Sequence, residues 1–314
     1  MFLPEIKSKA GEDISILIQL DNYSFNFICD CGDASNLTVK DCQNTEAIFI
    51  SHTHIDHFIN FDFILRHQVG IGKRVIICGP EGIIQQVQSK LQAYQWNLIE
   101  ENSITYEVRE IKANGEIIRS ELNPPHWDRI ALDKDTLKGL YRNDRFEVDF
   151  VILDHKTDSI AYLFREKDRV KIDISKSPFK GGPWVRALKN AFENGAETSL
   201  IKVEEKEFKA IDLFHLLEII KGDTLGIIMD HAANKSNHSK IKSIFQDCNK
   251  VFIESFYKTE DKELAKLNYH SYSTESARIM KACNVNTAIP VHFSRKYNEE
   301  EIEVLLQEFN DKLK

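Results

Sequence analysis

The chain has 314 residues, 42% hydrophobic and 29% charged, with a formal net charge of −8. That length can bury a sizeable core, and the composition is that of an ordinary globular protein. The charge argues against a protein that coats nucleic acid by global attraction, and no apolar run approaches the ~20 residues of a membrane span. Met1-Phe2-Leu3-Pro4-Glu5 lacks the basic-then-apolar pattern of a secretory leader. The six cysteines (Cys29, Cys31, Cys42, Cys78, Cys248, Cys283) contain no Cys-x-x-Cys pair and read as reduced thiols of a cytoplasmic protein.

Residues 14–20 and 23–29 are β-rich on either side of Asp21-Asn22, the pattern of a hairpin. A loop, Asp30-Cys31-Gly32-Asp33-Ala34, ends it. The apolar run Ile48-Phe49-Ile50 then leads into Ser51-His52-Thr53-His54-Ile55-Asp56-His57. Four potential metal ligands fall within six positions, in the loop after a buried strand, where α/β sheets keep their chemistry. Imidazole and carboxylate together suit zinc or a similar divalent ion. The bland alternative is a surface loop that happens to be His-rich. Three of the chain's eleven histidines crowded with an aspartate at one strand end weigh against it.

Phe58, Phe61, Ile64 and Leu65 follow at helical spacing, then a strand at 74–78, a helix at 82–93 and strands within 103–121 turning at Asn114-Gly115. Residues 146–153 form a strand ending at Asp154-His155, and 159–164 form the next. Residues 165–190 carry eight Lys/Arg against three acidic residues, interrupted by Gly181-Gly182-Pro183-Trp184. Such a run is a solvated face or a phosphate-tracking element with Trp184 available for stacking. An amphipathic helix is expected at 211–220. Strands at 225–229, 251–253 and 288–291 end at Asp230, Glu254 and His292, helices follow near 260–268 and 274–283, and a charged helix closes the chain from about 298. The expected organisation is one domain, 1–314, with a basic arm-like excursion at about 165–210.

Strand ends therefore present His52/His54/Asp56/His57, then His155, Asp230 and His292. Seven such ligands can hold two metal ions if one carboxylate bridges, and two ions about 3.5–4 Å apart can clamp both attacking and leaving oxygens.

The His-x-His-x-Asp-His stretch, followed by His155, Asp230 and His292 in order, resembles the signature of the metallo-β-lactamase fold. Phe27-Ile28-Cys29-Asp30-Cys31-Gly32-Asp33, Leu153-Asp154-His155 with Ala161-Tyr162, Gly182-Pro183-Trp184 with Leu188-Lys189, Tyr269-His270-Ser271 and His292-Phe293-Ser294-Arg295-Lys296-Tyr297 are similar to motifs of ribonuclease Z, the tRNA 3′-processing endonuclease. The resemblance runs from about residue 14 to 297. It implies an αββα four-layer sandwich, two mixed β-sheets flanked by helices. It implies a homodimer whose substrate is precursor tRNA, cut by a metal-bound hydroxide. One metal would take His52, His54, His155 and Asp230; the other would take Asp56, His57, Asp230 and His292. Zinc is the expected ion, with manganese and iron as alternatives. Asp56 would orient or deprotonate the water, and His270, supported by Glu254, would protonate the leaving group. Lys180, Trp184, Arg186, Lys189, Ser294 and Tyr297 would contact RNA. The sequence departs from the family at Phe58-Ile59-Asn60-Phe61-Asp62, where Gly-Leu-Pro-Gly is usual, at Ile253 in place of His, and at Met229 and His231 around Asp230. Two readings compete with the tRNA endonuclease: a hydrolase of a small phosphodiester, lactone or thioester, and a non-catalytic metal-sensing protein.

Overall fold

The computed structural model describes residues 1–133 and 139–314. These divide into a larger unit, Met1–Arg165 with Thr224–Lys314, and a smaller one, Glu166–Asp223.

The larger unit is built on two sheets. The first has eight strands in simple chain order from Phe2–Ile6 to Arg129–Ala131. Its middle is parallel, with Asn26–Cys29, Thr45–Phe49, Arg74–Pro80 and Thr105–Ile111 side by side, and its flanks are antiparallel. The expected hairpin is present, Ile16–Leu20 pairing antiparallel with Asn26–Cys29. The second sheet runs Thr287–Val291, Lys250–Glu254, Thr224–Ile228, Asp158–Glu166, Phe146–Asp154 and Tyr141–Arg142. Its first three strands are parallel.

Period-two alternation explains the layering. Ala47 and Phe49 face a core shared by the two sheets, where Phe27, Phe49, Tyr162 and Phe164 interlock with ring centroids 5.1–5.9 Å apart. Ile48 and Ile50 face the other way, on to the helices Phe61–Gln68 and Ile83–Gln92. Likewise Leu225, Ile227 and Met229 point into the shared core. Ile228, Val251 and Ile253 pack on the helices Lys235–Phe245, Ser273–Ala282 and Glu299–Leu313. The architecture is thus the αββα sandwich of two mixed sheets. All six cysteines are buried and unpaired. Among the described residues no helix is long and apolar enough to cross a membrane.

The smaller unit has its own apolar core, in which Trp184, Leu188 and Ala191 of the helix Pro183–Glu193 meet Ile201, Val203, Leu213 and Leu216. The helix expected at 211–220 is instead one turn at Ala210–Leu213, a 3-10 turn and a strand, Leu217–Ile220. That strand pairs antiparallel with Arg169–Ile172, and the ladder overrides the helical spacing of its apolar residues.

Candidate metal centre

The central strand Thr45–Phe49 delivers His52 and His54 in an extended loop. The short helix Ile55–Phe58 then turns Asp56 and His57 back toward it. Strands of the second sheet deliver His155, Asp230, Glu254 and His292. The backbone is strained around these positions: Asp30, Lys156, Tyr269 and His292 have φ of 56°, 60°, 60° and 57°, a region non-glycine residues seldom occupy.

Three donor groups result, two of them made of the expected metal ligands and the third of Asp230, Glu254 and His270. His52, His54, His155 and Asp230 each offer an atom within 4.8 Å of the others, and so do Asp56, His57 and His292. Asp230 faces both groups. Its Oδ2 lies 3.4 Å from His155 Nε2 and 3.7 Å from His52 Nε2; its Oδ1 lies 2.8 Å from His292 Nδ1 and 3.5 Å from His57 Nε2. Asp56 Oδ2 is 3.6 Å from His57 Nε2 and 3.5 Å from His292 Nε2.

The donor chemistry fits divalent cations. His57 Nε2, Asp230 Oδ1 and His292 Nδ1 are buried and, close as they lie to one another, are not aligned as hydrogen bonds, an arrangement that is costly unless another group satisfies them. Burial drives the rings of His52 and His54 toward the neutral, ligating form. Burial also acts against charge on His57 and His292, but there the carboxylates win. Asp230 and Asp30 raise His57 well above its ordinary value, and Asp230 and Asp56 raise His292 to about 9. Protons thus sit where the carboxylates call for a cation, and metal binding would release them.

The surroundings fix the ligands. Asp30, 1% exposed, accepts from Ser51 N and Ser51 Oγ at 2.7 Å each and pairs with His57 Nδ1 at 2.8 Å, which leaves His57 Nε2 for the site. His155 Nδ1 donates to Tyr269 O at 2.7 Å. Gly32 lets the Asp30 loop approach the short helix: a Cβ there would lie 2.5 Å from Asp56 O and from Ile14 O. Asp30 lies in one of the motifs similar to ribonuclease Z, with no role expected for it from the sequence. The readable signal was an acid two residues before a glycine at a strand end.

His270 lies beside this cluster, its Nδ1 3.7 Å from Asp230 Oδ2 and in a short contact with Glu254 Oε1. Phe256 lies flat on its ring at 3.9 Å and 6°. Glu254 is fully buried, and Oε2 accepts from His231 N at 3.0 Å and Ser271 N at 3.2 Å. Burial works to raise the Glu254 pKa, but the His270 charge and hydrogen bonds from the His231 and His270 side chains hold it down at about 2. Burial likewise opposes the His270 cation, and Glu254 outweighs it, raising the imidazole above its ordinary value.

The expected RNA contacts fare unevenly. Lys180 and Arg186 are exposed and Lys189 is half-buried. Trp184 is 5% exposed, and its Nε1 donates to Lys180 O at 2.9 Å; its ring serves the core of the small unit and is not presented for stacking. Ser294 and Tyr297 are also buried, and Tyr297 Oη accepts from Lys258 N at 3.0 Å. Taken whole, Glu166–Asp223 carries eleven Lys/Arg and eleven Asp/Glu. Its positive excess is confined to the first half, where Lys176 pairs with Asp173 at 2.8 Å and Arg169 with Glu166 at 3.3 Å.

No family model matches the chain. Among curated proteins it is 26% identical over 282 residues to ribonuclease Z of Deinococcus radiodurans, covering 87% of this chain and 83% of that one. It is 29% identical over 307 residues to ribonuclease Z of Borreliella burgdorferi, covering 94% and 84%. Among solved structures, the short form of human tRNase Z superposes with a TM-score of 0.58 at 15% identity, covering 93% of each chain. Fold and donor cluster together place the chain among proteins of the metallo-β-lactamase fold. Within that class, the chain is a relative of ribonuclease Z over most of its length.

Proposed function

We propose that this protein is a dinuclear-metal phosphodiesterase that cleaves the 3′ trailer of precursor tRNA. The observation that carries the reading is Asp230: its two oxygens address two separate donor groups, the arrangement expected of a carboxylate shared by two ions. His52, His54 and His155 would hold one ion, and Asp56, His57 and His292 the other. The ions, most simply zinc, would acidify a water and neutralise charge on the phosphate.

The protein's own groups supply the proton transfers. Burial works to raise the Asp56 pKa, but hydrogen bonding from His292 and the charge of His57 lower it, so it is ionised at neutral pH and takes the proton of the attacking water. His270 Nδ1 is engaged by Glu254, so Nε2 gives a proton to the leaving oxygen. Exposed Lys180 and Arg186 offer phosphate contacts. In a homodimer, one subunit's arm would hold RNA for the other.

The net neutrality of Glu166–Asp223 and the chain's charge of −8 favour a second reading, hydrolysis of a small phosphodiester. Metal-loaded protein is assayed on precursor tRNA with end mapping, with and without chelator, beside a simple aryl phosphodiester. Chelator-sensitive cleavage at the trailer junction supports the first reading. Hydrolysis of the simple diester with the tRNA left intact overturns it in favour of the second.

A further inference from the structure

Two of the loops that carry candidate ligands leave strands of the second sheet that flank Asp158–Glu166: Asp154-His155 follows Phe146–Asp154, and Asp230-His231-Ala232 follows Thr224–Ile228. One side chain joins them. Asn237, fully buried in the first turn of the helix Lys235–Phe245, accepts at Oδ1 from Asp154 N at 2.9 Å. Its Nδ2 donates to Asp154 O and to Ala232 O, both at 2.9 Å. Ala232 N donates to the same Asp154 O at 2.8 Å. The orientation of the amide is fixed by its partners, because Asp154 N can only donate and both carbonyls can only accept. Asn237 is itself anchored, its N–H donating at 2.9 Å to Oδ1 of the helix-capping Asn234.

We infer that Asn237 is a positioning residue that sets the spacing of His155 and Asp230, and with it the affinity of the His52/His54/His155/Asp230 donor set for its metal ion. The inference rests on the metal reading above. Asparagine is a weak helix former, and a buried amide is unfavourable unless its hydrogen bonds are made. Here all of them go to the two ligand loops and none to another side chain. His155 Nε2 and Asp230 Oδ2 stand 3.4 Å apart, a gap that backbone drift in either loop would change directly. The second donor set is anchored differently, His57 by Asp30 and His292 by its own strand end. Loss of the Asn237 clamp therefore acts on the first set through both His155 and Asp230, and reaches the second only through the shared Asp230.

The test compares metal-loaded wild type, Asn237→Ala and Asn237→Asp. Asn237→Asp keeps the Oδ1 acceptor and loses both donors. Each is dialysed against graded chelator, retained metal is counted, and thermal unfolding is recorded for the metal-free chains. The Co²⁺-loaded forms give a visible spectrum that reports ligand geometry. Both variants are expected to lose one metal equivalent at chelator levels the wild type resists, with affinity at that set down about 10–100-fold and an altered Co²⁺ band. The metal-free unfolding midpoint is expected to fall too little to account for this. Unchanged affinity and spectrum overturn the inference. So does parallel loss of both equivalents together with a matching drop in metal-free stability, which marks a merely structural role. A wild type that retains no metal fails the metal reading itself, and the inference with it; that outcome is told apart by the wild-type arm alone.

Discussion

The chemistry of the proposed reaction turns on how one imidazole is held. Glu254 grips one nitrogen of His270 and Phe256 covers its face, so the free nitrogen has a fixed direction. Glu254→Gln is expected to slow hydrolysis of a phosphodiester with an alkoxide leaving group by about 10²-fold, with Phe256→Leu following in the same direction. Neither change should matter much for a p-nitrophenolate leaving group, which departs without a proton. Equal losses on both substrates would remove His270 from the proton-donor role. A second histidine makes a prediction about stability. Burial first, then His231, push His238 down to about 4 against the pull of Glu275, and Arg278 Nη2 donates to its Nδ1 at 3.1 Å. The same ring in the unfolded chain titrates near ~6.5. Between those values the unfolded state binds more protons, so stability falls as pH drops through that window, by on the order of 2 kcal/mol. His238→Gln removes this loss, and urea titrations of metal-free wild type and variant at pH 7 and pH 4.5 measure the difference. Parallel pH profiles would refute it.

At the scale of elements, the strands around the site were legible and the arm was less so. Short apolar runs ending in His or Asp marked Thr45–Phe49, Phe146–Asp154, Thr224–Ile228 and Thr287–Val291, because buried strands must be apolar and their polar termini stand out. Residues 211–220 misled because Ile211, Leu213, Leu216 and Leu217 satisfy helical spacing, while the pairing partner of Leu217–Ile220, Arg169–Ile172, lies about fifty positions earlier and leaves no local trace. Trp184 misled for a related reason. A Trp beside basic residues suits stacking, but with Leu188 and Ala191 it also forms an i, i+4, i+7 stripe, and the stripe decided. Asn237 carried no local signal at all, since its partners come from two other loops. Gly32 offers a test of how tightly elements are fitted. The backbone atoms that a Cβ would meet belong to Asp13, Ile14 and Asp56, none of them a movable side-chain tip. Gly32→Ala is expected to destabilise by roughly 2–4 kcal/mol and to weaken metal retention by displacing the helix that carries Asp56 and His57. Normal retention with normal stability would show that the loop yields.

The whole molecule is a core unit interrupted once. Arg165 and Thr224 are paired directly across the ladder, so the chain leaves for the small unit and returns at one rung. The outer strands at one edge of each sheet carry a proline, Pro4 and Pro290, which limits edge-to-edge association. Because candidate ligands from both sheets meet in one cluster, bound metal should stabilise the core unit as a whole: ions that bind only the folded state at 100 times Kd add about 2.7 kcal/mol each. Chelation is expected to lower the unfolding midpoint of wild type and to leave an Asp230→Ala variant nearly unmoved. A chelator effect of equal size in both would place the stabilising ions elsewhere.

The spread of the ligands along the chain has a consequence in time. His52 and His57 emerge early in synthesis, whereas Asp230 and His292 belong to strands that cannot join the second sheet until most of the chain exists. At ordinary rates of translation the first four ligands wait roughly 10–50 s for the last. For that interval the nascent protein exposes an incomplete, His-rich half-site, and such sites favour copper and zinc over lighter ions. Which ion the proposed centre takes up would then be shaped by what the nascent chain meets during its own birth as well as by the completed donor set.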